Sequence, residues 1–137
     1  MGRVIVTFEL MNYSDITMVE RGHLTPDKIR RVALQGVIDT GATQMVLPKG
    51  VVDLLGLPVT GKATIHYADR SSQKRDMVRD AFVQLLGRGS VFNAIVEPNR
   101  TDALIGAIVL EDLDLIVDCR KNVILPRDPN GIICEVE

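Results

Sequence analysis

At 137 residues the chain is long enough for one domain whose core needs no disulfide staples. It is 46% hydrophobic but only 4% aromatic, with no Trp, so it offers no platform for stacking bases or sugars. A net charge of −2, from 16 basic and 18 acidic residues, argues against a nucleic-acid partner.

Residues 3–10 are rich in β-branched side chains with partial alternation and predict a strand. The stretch 12–22 is mixed and polar, with Asp15 and Gly22 as turn residues. Thr25-Pro26-Asp27 has the form of a helix start, so a helix over 26–31 stays open. The next ten residues suit a strand running into Asp39 at least as well, with Val32, Leu34, Gly36 and Ile38 on one face. The basic residues Lys28, Arg30 and Arg31 read as a solvated face. After Asp39, residues 44–47 form a short strand and Pro48 opens a helix over 49–55, which Gly56 caps.

A hairpin follows, with strands at 64–68 and 73–78 joined by the polar turn Asp69-Arg70-Ser71-Ser72. A second hairpin joins 79–86 to 91–97 across Gly87-Arg88-Gly89-Ser90. Ala103-Leu104-Ile105-Gly106 is an apolar run stopping at glycine, followed by a short helix over 108–113 and strands at 115–117 and 123–125. Residues 132–136 are a candidate last strand. Many short strands with two short helices predict a mostly β domain, closed or folded on itself.

Chemistry concentrates at Val37-Ile38-Asp39-Thr40-Gly41-Ala42-Thr43, where two β-branched residues run into an acid, a hydroxyl and a glycine. Such a strand end holds a carboxylate between core and cleft. Gly41 lets the backbone approach a ligand or another chain, and the Thr40 hydroxyl can bind backbone across that approach. An ordinary strand-to-turn corner is the bland alternative. No other acid follows an apolar pair and precedes Thr-Gly or Ser-Gly. Cys119 and Cys134 stand fifteen positions apart without a Cys-x-x-Cys and read as reduced thiols. His23 and His66 lack partners at metal-ligand spacing, so neither a metal nor a cofactor is expected. Glu9 interrupts the first apolar run too early for a signal peptide, and no run approaches a membrane span, so a cytoplasmic location is expected.

In order and spacing, residues 32–125 resemble the bacterial retropepsin-like group of clan AA aspartic proteases. The resemblance is carried by Asp39-Thr40-Gly41-Ala42-Thr43, by Leu54-Leu55-Gly56-Leu57-Pro58, and by a flap-like hairpin peaking near Asp69-Arg70-Ser71. Leu104-Ile105-Gly106 then stands as the second hydrophobic-hydrophobic-glycine element, before Val109-Leu110-Glu111 and Leu115-Ile116-Val117-Asp118. It implies a closed β-barrel of acid-protease fold, a single domain over 1–137, with one lobe per chain and one or two short helices. It implies a homodimeric endopeptidase that hydrolyses a polypeptide substrate with water activated by Asp39 and its symmetry mate. Two carboxylates that close cannot both ionise and so share a proton. Thr40 and Gly41 would support the turn, and Ala42, Ala68, Asp69, Arg70, Ser71, Leu104, Ile105 and Gly106 would meet substrate. The apolar termini 4–6 and 132–134 would join the dimer interface. Neither nucleic acid nor membrane is an expected partner.

The sequence also departs from the viral members of the group. Thr43 and Ala107 stand where those usually carry an acid and an Arg, so other contacts must hold a dimer. The stretch 12–31 is longer than the group needs. An idle dimer that only binds peptides is the alternative within the fold. A sugar-kinase-like phosphate loop would need two large lobes, for which the chain is too short.

Overall fold

Six strands close on themselves into a β-barrel in the computed structural model, which describes residues 3–136. Met1, Gly2 and Glu137, the ends of the expected 1–137 domain, lie outside the described residues. The strands are β1 (Ile5–Asn12), β2 (Arg31–Ile38), β3 (Met45–Pro48), β4 (Val59–His66), β5 (Ser72–Leu85), β6 (Arg88–Glu97), β7 (Ala103–Ile105), β8 (Leu115–Asp118) and β9 (Val123–Pro126). The helices are α1 (Tyr13–Glu20), α2 (Lys49–Leu55) and α3 (Ala107–Asp112). The barrel runs β1-β2-β7-β3-β6-β5, and β5 returns to β1 through pairs such as Leu10 with Val83. Closure leaves no long unpaired edge in the barrel. Inside it Leu10, Met45, Leu47 and Ile105 are fully buried, with Leu55 and Leu113 sealing the helix-covered side. Strand β4 pairs with β5 alone and carries the β4–β5 hairpin out beyond the barrel.

The mostly β expectation holds, as do α2 and its cap, for Gly56 adopts a left-handed φ of 65°. Several expectations need correction. There are three short α-helices rather than one or two, and α1 falls where turns were expected. Asp15 is its only buried residue, so no apolar stripe announced it. Polar bonds hold it instead. Buried Asn12 caps it by accepting from the Asp15 amide at 3.0 Å and donating to Leu55 O at 2.8 Å. The helix-start signal at Thr25-Pro26 yields only a 3-10 turn over Pro26–Lys28. The second hairpin turns at Leu86-Gly87, whose φ angles of 53° and 77° give the tight turn that suits twisted strands. No strand forms over 132–136, because side chains capture the backbone there: Ile133 N donates to Asp114 Oδ2 at 3.1 Å and Ile133 O accepts from Arg127 Nη2 at 3.0 Å. Among the described residues no helix is long and apolar enough to cross a membrane.

One ion pair closes the long β1–β2 connection. Asp15 accepts from Arg30 N, Nε and Nη2, each at 2.9 Å, and this guanidinium holds its carboxyl below the ordinary value of 3.8. On acidification the unfolded chain therefore takes up this proton before the folded one. The stabilisation is complete above pH 3.8 and is lost as pH falls through the lower folded value. Asp15→Asn should cost roughly 1–2 kcal/mol at neutral pH through lost charged hydrogen bonds, and should flatten the acid limb of stability. Urea melts across acidic pH measure both. An unchanged acid slope would remove Asp15 from the account.

Candidate functional site

Strand β2 delivers Asp39 to the barrel rim. The parallel β2–β7 ladder pairs Val37 with Leu104 and Ile38 with Ile105, and Asp39 N extends it by donating to Ile105 O at 2.9 Å. There the chain turns back sharply. Asp39 Oδ1 accepts from Gly41 N at 2.9 Å, and Asp39 O from Ala42 N at 3.2 Å. The turn is then tied to the start of α3: Ala107 N donates to Ala42 O at 2.7 Å and Ile108 N to Thr43 O at 3.1 Å. Gly106 lies between, so close that a Cβ there would stand 2.4 Å from Gln44 O and 2.8 Å from both Ala42 O and Thr43 O. The Asp39-Thr40-Gly41 turn and the Leu104-Ile105-Gly106 segment are thus interlocked. Asp39 itself remains exposed, with one oxygen committed to the Gly41 amide.

Two hollows flank Asp39. The larger, about 380 Å³, lies between the barrel rim and the β4–β5 hairpin and is lined by Gly41, Ala42, Val46, Ile95 and Leu104, with residues 65–68 on the hairpin side. The smaller, about 330 Å³, shares Asp39 and Leu104 with it and adds Thr40 and Val117. The structure therefore places Gly41, Ala42 and Ala68 on the larger hollow, Thr40 on the smaller, and Asp39 and Leu104 on both. Ile105 and Gly106 are buried beneath the turn and line neither hollow. Asp69, Arg70 and Ser71 form the exposed hairpin tip and line neither hollow. The tip is locally ordered. Asp69 Oδ1 accepts from Ser71 N at 2.9 Å, and bonds from Ser71 hold that carboxyl below its ordinary range.

Sequence reasoning missed a polar cluster at the hairpin end of the cleft. Tyr67 Oη donates to Glu97 Oε2, and Arg75 Nε donates to Glu97 Oε1 at 2.8 Å. The Glu97 carboxylate retains the phenol proton, and burial adds to this, so the Tyr67 pKa is raised. The hairpin tip is consequently tethered to the barrel wall at Tyr67, although it lacks an apolar anchor. The signal was available in the alternation of β6: Glu97 follows Ile95 by two residues and shares its cleft face. In Tyr67→Phe, amide exchange at Tyr67 and Arg70, which bond across the tip, should quicken about fivefold, the effect of one modest hydrogen bond. Unchanged exchange at those amides would mean that the tether does not restrain the hairpin.

Among the described residues Glu97 is the only carboxylate besides Asp39 lining either hollow, and Arg75 and Tyr67 occupy both of its oxygens. It is therefore poorly placed to share a proton with Asp39. No protein-family model and no curated protein matches the chain by sequence.

Proposed function

We propose that this chain is one subunit of a homodimeric, retropepsin-like aspartic endopeptidase. The observation that carries the reading is the Asp39-Thr40-Gly41 turn at the barrel rim, interlocked with Leu104-Ile105-Gly106 and facing a cleft beneath a hairpin. Two carboxylates are needed for this chemistry. The ionised one withdraws a proton from water and the protonated one polarises the peptide carbonyl. One chain supplies Asp39 and commits Glu97 elsewhere, so the second carboxylate is assigned to Asp39 of a symmetry-related copy. Exposure of Asp39 and Thr40 in the single chain is compatible with rim-to-rim pairing at this turn. Closure of the hairpin over an extended peptide would exclude water and add backbone hydrogen bonds. Cys119 and Cys134 are both free and exposed, which suits a reducing compartment such as the cytoplasm.

The test pairs two measurements. Sedimentation at micromolar concentration should give about twice 15.1 kDa, and a peptide library should be cleaved internally by the same species. A monomer that still cleaves would defeat the shared-aspartate mechanism. A dimer that binds peptides without cutting them would establish the idle binding module instead.

A further inference from the structure

Arg100, in the connection between β6 and β7, lines both hollows that flank Asp39. Its side chain is largely enclosed, with 28% of its surface exposed. Two bonds fix the guanidinium: Nε donates to Asp102 O at 3.1 Å and Nη2 to Asp102 Oδ1 at 2.9 Å. Nη1 has no protein acceptor among the described residues. Asp102 lines neither hollow, so the carboxylate that orients Arg100 stays outside the cleft.

Both hollows hold the Asp39 carboxylate; in the larger one Glu97 is ion-paired with Arg75, and in the smaller one Arg3 adds a second cation. Arg100 is itself ion-paired with Asp102, so what it offers the cleft is the Nη1 donor. The walls between are apolar, with Val46, Ile95 and Leu104. A guanidinium held in position beside apolar surface pairs with carboxylate at little ordering cost and repels a basic group.

We infer that Arg100 is a specificity-determining residue of the cleft and selects peptides that place a carboxylate next to the scissile bond. This rests on the peptidase reading. An acidic side chain and a peptide C-terminus present the same group, so the substrates must separate them.

Peptide pairs that differ only by Glu or Gln, at each position within about two residues of the cleaved bond, provide one arm. Pairs that end in an acid or an amide provide the other. Wild type should show about tenfold higher kcat/KM for the carboxylate member in one arm, the selectivity expected of one charge-assisted hydrogen bond in a partly wet site. R100Q should bring that ratio close to one, and R100K should keep part of it. In the wild type the ratio should fall as salt rises. A wild type indifferent to the carboxylate, a ratio insensitive to salt, or a preference that survives in R100Q would overturn the assignment. If R100Q does not fold, R100K decides the matter, because a ratio there equal to that of the wild type would overturn the assignment. If the wild type cleaves nothing, the same pairs are titrated calorimetrically onto Asp39→Asn with and without R100Q. A carboxylate preference lost with Arg100 would then keep the assignment while the peptidase reading fails, and no preference would end both.

Discussion

Replacing Asp39 by Asn should abolish peptide hydrolysis, lowering kcat/KM by about 10⁴-fold or more, the scale of a lost general acid–base pair. The substitution is nearly isosteric, and the amide oxygen of Asn can still accept from Gly41 N, the one side-chain bond Asp39 makes among the described residues. The turn should therefore keep its shape. In a dimer the change also removes repulsion between two facing carboxylates, so the variant should melt at the same temperature as wild type or higher. Activity and thermal stability must be read together. Retained turnover would show that another group performs the chemistry. Lost turnover with a marked fall in melting temperature would assign Asp39 a structural role.

What the sequence made legible follows from how local each signal is. Strand β2 and its abrupt end at Asp39 were readable because apolar β-branched residues and a polar turn lie side by side. Helix α2 was readable from an apolar stripe that ends in a capping glycine. Helix α1 was not, because the bonds that hold it reach across the chain: Asn12 to Leu55, and Asp15 to Arg30. The cleft divides in the same way. Asp39, Gly41 and Leu104 stood in short recognisable strings, whereas Glu97, Arg75, Tyr67 and Arg100 meet only once three separate segments are brought together. The tail 132–136 failed for the converse reason. Its sequence has the β-branched character of a strand, but a strand forms only where a neighbour offers a ladder, and in the single chain Asp114 and Arg127 bind that backbone instead.

The interlock beneath the active-site turn yields the second large effect. Gly106 has φ −88° and ψ −179°, an extended conformation open to any residue, so its substitution carries no intrinsic backbone penalty. The cost of Gly106→Ala is entirely steric. Its new methyl would need to displace Gln44 O from 2.4 Å and the Ala42 and Thr43 carbonyls from 2.8 Å. These are backbone oxygens, which cannot rotate aside as a side chain would. Moving them also stretches the bonds from Ala107 N and Ile108 N that fasten the turn. Overpacking together with two weakened hydrogen bonds should cost roughly 3–5 kcal/mol and lower the melting temperature by about 10 °C or more. Whatever fold survives should present Asp39 in a displaced turn, and a misplacement of about 1 Å can remove a hundredfold in rate. Gly50→Ala is the matched control. Gly50 lies in α2 with nothing within 4 Å of the added Cβ, so alanine there should be neutral or stabilising by up to about 1 kcal/mol. Denaturant melts of both variants, with kcat/KM on one peptide, separate the steric argument from any general intolerance of glycine loss. If Gly106→Ala folds as stably as Gly50→Ala and cleaves like wild type, the turn is not held by the close approach at Gly106, and the positioning of Asp39 must come from the β2–β7 ladder alone.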